Sequence, residues 1–236
     1  MDQRAAWEAE AENWVQWART PGHDAYWHYR HAFFDAVVPR PGRATLEIGC
    51  GEGRVTRDLT ARGHVVVALD ASATLLRYAS EADTGGRYVR ADAAALPCAD
   101  ASFDIVVAYN SLMDFDDMPG AIWETARVLE RGGALCICVT HPLFDAGGFE
   151  GDGQDAAFVL RRSYLGGRKF DETVVKAGIT MRFRGFVHAL EDYFSALFDA
   201  GFVVELLKEP TPAEGADGYE RWQRYPMFLH IRAIKA

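Results

Sequence analysis

From Ala44 onward the chain alternates between two kinds of apolar pattern. Runs such as "ATLEIGC", "VVVALD", "FDIVVAYNS" and "ALCICVTH" are too continuously apolar for a sheet with one exposed face. Between them, "GRVTRDLTARG", "SATLLRYASEA" and "AIWETARVLERGG" place apolar residues at helical spacing, and "GRYVRAD" adds a short strand. Strands alternating with helices in this way predict a doubly wound parallel sheet covered on both sides, with ligands expected at the carboxyl ends of the strands. The pattern changes at either end of that region. Residues 1–40 predict two helices broken at "RTPG" (Arg19 to Gly22), the second carrying the dense aromatic run "YWHYRHAFF". After His141 comes a polar, Gly-rich stretch and then "RSYLGGRKFDETVVKAGITMRFRGF", which alternates like one or two added hairpin strands. "HALEDYFSALFDAGF" predicts a helix closed by Gly201, and "VVELLKEP" and "PMFLHIRAIKA" predict two final strands able to pair antiparallel. The expected organisation is one domain over 1–236: a helical N-terminal cap (1–40), a core (41–142), an inserted substrate-side segment (143–186), and a C-terminal helix with the final strands (187–236).

Composition narrows the partner. A chain of 236 residues with 49% hydrophobic content can bury one sizeable core. A formal net charge of -9 opposes an electrostatic grip on nucleic acid or an anionic membrane, which leaves a small molecule as the expected partner. The start lacks the basic flank and apolar run of a signal peptide, and no stretch is apolar for long enough to span a bilayer, so a cytoplasmic location is expected. Cys50, Cys98, Cys136 and Cys138 form no Cys/His set with metal-ligand spacing, so no metal is expected. Cys136 and Cys138 alternate along one strand and read as small core residues.

The candidate chemistry begins at "LEIGCGEGRVT". Gly49, Gly51 and Gly53 fall where a strand turns into a helix, and their missing side chains allow a ligand close to the backbone. The dinucleotide fingerprint G-x-G-x-x-G fails, because its third glycine would fall on Arg54. Glu47 beside the loop has little use to a pyrophosphate but favours a ligand carrying a cation. Asp70 closes the second strand, where a carboxylate can accept both hydroxyls of a ribose. Asp92 ends the third, where it can accept from an exocyclic adenine amine while the Ala93 amide donates to a ring nitrogen. The inferred ligand is an adenosine bearing a positive charge.

These residues resemble the class I S-adenosylmethionine-dependent methyltransferases. "LEIGCGEGRVTRDLTARGHVVVALDAS" is similar to the first two motifs of that family, "YVRADAAALPCADASFDIVV" to its adenine motif and fourth strand, and "ARVLERGGAL" to the lead into the fifth. The resemblance implies a seven-stranded Rossmann-like sheet with the last strand antiparallel. It implies S-adenosyl-L-methionine as donor and S-adenosyl-L-homocysteine as product. Glu47, Gly49, Cys50 and Gly51 would flank the methionine part, Asp70 and Ala71 the ribose, Asp92 and Ala93 the adenine, and Tyr109 and Asn110 the sulfonium and amino-acid group. The expected reaction is methyl transfer to O, N or C of a small organic acceptor, in specialised metabolism. The competing readings are a nicotinamide-dependent oxidoreductase, which the Arg54 spacing and Glu47 disfavour, and a non-catalytic module that binds the donor.

A sulfonium is already electrophilic, so alignment in a water-poor pocket matters more than a strong base. Among candidate bases, His141 at the end of the fifth strand is best placed, and Tyr109 is a second catalytic candidate. Trp27, Tyr29, Arg30 and His31 in the front patch, Asp114 and Asp116 after the fourth strand, and His188 are candidates for the acceptor side. Arg161 and Arg162 in the inserted segment would suit an anionic acceptor.

Overall fold

The computed structural model describes residues 2–236. Its centre is a seven-stranded sheet. In chain order the first five strands are β1 (Thr45–Ile48), β2 (Val66–Asp70), β3 (Arg87–Arg90), β4 (Phe103–Tyr109) and β5 (Leu129–Thr140). Strands β6 (Gly147–Phe149), β7 (Phe158–Leu160), β8 (Arg168–Lys176) and β9 (Ile179–Val187) form two separate hairpins. β10 (Phe202–Lys208) and β11 (Phe228–Lys235) return to the main sheet, whose order is β10-β11-β5-β4-β1-β2-β3. The pairs β3-β2, β2-β1, β1-β4 and β4-β5 are parallel, while β11 runs antiparallel to both β5 and β10. The last strand therefore lies inside the sheet and β10 forms its edge.

The apolar runs are continuous because both faces of the central strands are covered. From β4, Val106 and Ala108 enter the core beneath α5 (Met118–Val128) and α7 (Leu190–Asp199), together with Leu46, Ile48, Leu135, Ile122 and Leu197. Ile105, Val107 and Tyr109 enter the opposite core with Cys136 and Cys138, beneath α2 (Tyr26–Ala36) and α3 (Arg54–Ala61). Both cysteines are fully buried, as their alternation predicts. Burial of this kind stabilises by about 25 cal/mol per Å² of apolar surface, so charged substitutions on either face of β4 would be costly.

Helix boundaries follow their caps. Asp2 accepts from the Ala5 amide to start α1 (Gln3–Arg19), and Ser72 accepts from the Leu75 amide to start α4 (Ala73–Ala82). Asp117 does the same for Gly120 at α5, where Pro119 occupies the first turn. One boundary differs from expectation: the helix read through "LERGG" ends at Val128. Leu129 is fully buried against Phe103 and already belongs to β5, and Gly132 turns at φ 79° where the register shifts. Burial of Leu129 in the sheet outweighs the helical continuation through the four polar and small residues after it.

The front helices and the inserted hairpin sit on the strand carboxyl ends. Glu8 of α1 accepts from Ser72 Oγ at 2.6 Å and Thr74 Oγ1 at 2.7 Å, so it doubles as a cap for α4. At its other end Arg19 donates to the Tyr78 carbonyl and to Glu52. α1 then packs beneath β9, where Trp17 and Trp14 meet Phe183 edge to face. Among the described residues no helix is long and apolar enough to cross a membrane.

Candidate active site

Two adjoining cavities open over the carboxyl ends of β1, β2, β4 and β5. The first encloses about 340 Å³. Its floor is the glycine loop between β1 and α3, held open by conformations that other residues rarely adopt. Gly49 (φ 69°) has no room for a side chain, since a Cβ would fall 2.5 Å from the Ser111 Cβ. Ser111 is itself fixed by its hydroxyl, which donates to the Ile48 carbonyl. A Cβ on Gly51 (φ 55°) would approach Trp14 Nε1 to 3.3 Å across the cavity.

Carboxylates ring this floor. Asp70 Oδ2 accepts from the Gly51 amide and Oδ1 from the Ser72 amide, both at 2.8 Å, so the strand end and the loop are joined through it. Each oxygen keeps a second lone pair for a ligand hydroxyl. Glu47 is 1% exposed and takes a short hydrogen bond from Thr56 Oγ1. Burial, opposed by that bond, pushes its pKa up to about 8, with Asp70 and Glu52 adding repulsion. A buried, uncompensated acid of this kind gains from a cation brought beside it. Glu52 is equally buried but saturated by Arg19 and by Arg57, which donates to both its oxygens at 2.8 Å. Cys50 also lines the cavity, and burial keeps its thiol protonated.

The cavity walls take in Ala71, Asp92, Ala93, Tyr109 and Asn110. Asp92 accepts from the Ala94 amide, and Arg4 reaches it from the start of α1 at 3.4 Å. Asn110 ends β4 in the left-handed region (φ 49°), a conformation asparagine tolerates better than most residues, with its amide on the Cys138 carbonyl. The Tyr109 hydroxyl is buried without a hydrogen-bond partner among the described residues, and burial raises its pKa far beyond service as a base at neutral pH.

The second cavity encloses about 450 Å³ between α1, the β8–β9 hairpin, α6 (Pro142–Ala146) and the end of β5. Its walls combine aromatic rings, among them Trp17, Tyr26, Phe144, Phe170 and Phe183, with an equal number of charged side chains. Five residues line both cavities: Trp7, Trp14, Arg54, Asn110 and Asp114. At this junction Arg54 pairs with Asp24 at 2.6 Å and lies over the rings of Tyr26 and Trp14. Deeper in, Asp145 takes a hydrogen bond from Thr140, and burial pushes its pKa up to about 6.

Several expected acceptor-side residues lie elsewhere. His141 lines neither cavity: it caps α6, its Nδ1 accepting from the Leu143 amide, with Nε2 3.0 Å from Glu209 on the far side. Burial holds its pKa below the usual value. The antiparallel strand β11 draws His141 away, its amide bonding the Met227 carbonyl. Tyr29 is a fully buried core residue against Phe228, and Arg30 pairs with Asp58 and lies over Trp27. Trp27 and His31 line neither cavity, and His31 is exposed on α2. His188 stacks between Phe186 and Tyr193. Asp116 lines the mouth of the first cavity, where it accepts from the Gln3 amide. Gly53 also points away, toward Tyr88 and Ala79, and serves the close packing of α3. Of the basic pair, Arg162 lines the second cavity, paired with Glu172 at 2.6 Å, and Arg161 pairs outside it with Glu150. Asp114 lies at the junction. The sequence reading passed over Trp7 and Trp14 as site residues, although three tryptophans in one short helix over a glycine loop was the available signal.

Comparison with known proteins bears on the fold and the class of the domain. Residues 46–137 match the family described as "Methyltransferase domain". The chain is 36% identical over 103 residues to a malonyl-[acyl-carrier protein] O-methyltransferase of Pectobacterium atrosepticum, covering 43% of this chain and 41% of that one. It is 35% identical over 122 residues to a demethylmenaquinone methyltransferase of Thermobifida fusca, covering 50% and 51%. The chain thus spans about half the length, or less, of the curated relatives it matches. An S-adenosylmethionine-dependent methyltransferase from Mesorhizobium loti superposes with a TM-score of 0.68 at 25% identity, over 89% of this chain and 98% of that one. Residues 46–137 are thus a methyltransferase domain, and the chain has the fold of the S-adenosylmethionine-dependent methyltransferases.

Proposed function

We propose that this chain is a cytoplasmic methyltransferase that uses S-adenosyl-L-methionine to methylate O, N or C of a small organic acceptor. The observation that carries the proposal is the pair of cavities meeting at Trp7, Trp14, Arg54, Asn110 and Asp114. One cavity has the polar fittings of a nucleoside and the other the aromatic walls of an organic acceptor, so two reactants could be brought into line where they join. The donor fits the residues present. Asp70 would hold the ribose hydroxyls with Ala71 packed beside them, Asp92 and Ala93 the adenine, and Gly49, Cys50 and Gly51 the methionine part. Tyr109 and Asn110 would flank the sulfonium end, and Glu47 would compensate positive charge. When bound, the donor supplies an electrophilic methyl group.

In this reading, residues 1–40 act as the cap of a single domain. Residues 41–142 form the donor-binding core, 143–186 the acceptor wall, and 187–236 the part that completes the sheet. The chain's own contribution is to exclude water with α1 and the hairpin, and to hold the acceptor against the junction. Calorimetric titration with S-adenosylmethionine, S-adenosylhomocysteine and NADH tests the donor. Micromolar binding of the two sulfur nucleosides without NADH supports the proposal, and binding of NADH alone removes it.

A further inference from the structure

The second cavity carries four carboxylates and four arginines, and all of its carboxylates but one are engaged. Asp24 is held by Arg54, Glu172 by Arg162, and Asp145 by the Thr140 hydroxyl. Asp114 has no hydrogen bond or ion pair to its carboxylate among the described residues, although it lines both cavities at their junction. Folding does not account for that side chain: the short turn Leu112–Asp114 that carries it is closed by its backbone, with the Asp114 amide on the Ser111 carbonyl. A buried acid without a partner is costly unless a ligand completes it.

Resting on the donor reading above, we propose that Asp114 accepts the proton of the acceptor's nucleophilic hydroxyl, and that the acceptor is a neutral, planar aromatic hydroxyl compound. A carboxylate nucleophile would place its charge beside Asp114, with Asp145 behind it. An ammonium would pair with Asp114, Arg54 being already paired with Asp24, but it carries no free lone pair to take the methyl group. A neutral hydroxyl donates to Asp114 and leaves the ring system to the faces and edges of Trp14, Trp17 and Phe183. In the transfer, the acceptor oxygen forms a bond to the methyl carbon as that carbon's bond to sulfur breaks, with the electron pair going to sulfur. The hydroxyl proton passes to the Asp114 carboxylate, so positive charge leaves sulfur and one carboxylate is neutralised. No oxidant or reductant is consumed. Burial and the neighbouring Asp70 and Asp145 hold the Asp114 pKa well above the usual carboxylate range, which makes it a stronger base once ionised.

The test uses the full chain saturated with S-adenosylhomocysteine, so that probes are confined to the second cavity, at a pH on the alkaline side of the Asp114 titration, so that its carboxylate is ionised. A naphthol, the matching naphthoate and the matching naphthylmethylamine are titrated, and binding is read from tryptophan fluorescence and by calorimetry. The naphthol is expected to bind at least about tenfold more tightly than the naphthoate, whose charge is set against Asp114, and to be methylated in preference to the naphthylmethylamine, whose ammonium holds no free lone pair. In Asp114→Asn that preference over the naphthoate should fall about tenfold, because the repelling charge is gone. With S-adenosylmethionine and the naphthol, Asp114→Asn should slow methyl ether formation about a hundredfold and abolish its rise with pH. Preference for the naphthoate over the naphthol, methylation of the naphthylmethylamine in place of the naphthol, no binding by any of the three, or an unchanged order of naphthol and naphthoate in Asp114→Asn overturns the inference. Binding of S-adenosylhomocysteine is recorded first on the same sample. Its presence with any overturning result removes the acceptor assignment alone, and its absence removes the donor reading.

Discussion

The two cavities of this protein are built by different means. The first is made of backbone and short side chains from one continuous region, Glu47 to Asp117, closed by the start of α1 and Trp14. The second draws on residues from Trp7 to Phe228, and its walls are large rings brought together from α1, α6, the hairpin and the end of β5. A site of the first kind depends on conformation and charge at a few positions. One of the second kind depends on packing between elements far apart in the chain.

The contrast breaks hardest at Glu47. Its pKa of about 8 in the fold exceeds the ordinary value of 4.5, so the folded state binds the extra proton. The sign follows: its favourable contribution is complete below about pH 4.5 and is lost as the pH rises through about 8. Glu47→Gln should therefore flatten the loss of stability of the ligand-free protein between about pH 5 and 9, by about 3–5 kcal/mol, as read by thermal unfolding across that range. The same substitution should weaken S-adenosylmethionine more than a neutral adenosine analogue.

Next in size is Asp70→Ala, which strips the Gly51 and Ser72 amides of their acceptor as well as the ribose of its partner. S-adenosylhomocysteine affinity should fall about a hundredfold by calorimetry, while an aromatic probe of the second cavity binds as before. Trp14→Ala sharpens the comparison from the other side, because Trp14 lines both cavities. Both ligands should weaken about tenfold in the same titrations, and a loss confined to one would show that the cavities do not share this wall. The smallest effect is expected at His141→Ala. Loss of the cap on Leu143 should cost about 1 kcal/mol of stability in denaturant unfolding, with donor affinity unchanged.

What could be read in the sequence follows the same division. The doubly wound sheet was legible because β1, β2, β4 and β5 carry continuous apolar runs separated by capped helices. The lining of the first cavity was legible because strand ends and a glycine loop have local signatures: Gly49, Gly51, Asp70 and Asp92 fall at strand ends and line one cavity. His141 also sits at a strand end, yet the antiparallel neighbour β11 and the turn into α6 direct it outward. Which side of a chain reversal a ring takes is settled by such distant partners. The aromatic run of α2 illustrates the same point: Tyr29 and Phe33 went to the core, and the wall of the second cavity was taken by Trp7, Trp14 and Trp17 of α1 instead. Helical spacing reveals that a face is apolar, but not whether a sheet or a cavity lies beneath it.

The most direct test of the central claim, that a nucleoside donor and an aromatic acceptor meet at one junction, is a crystal structure of the protein with S-adenosylhomocysteine bound. The account predicts ribose hydroxyls on Asp70, adenine beside Asp92 and Ala93, and the sulfur turned toward Asn110 and Asp114 with the aromatic cavity open beyond it. Adenosine seated among the rings of the second cavity, or a sulfur facing away from the five shared residues, would contradict it.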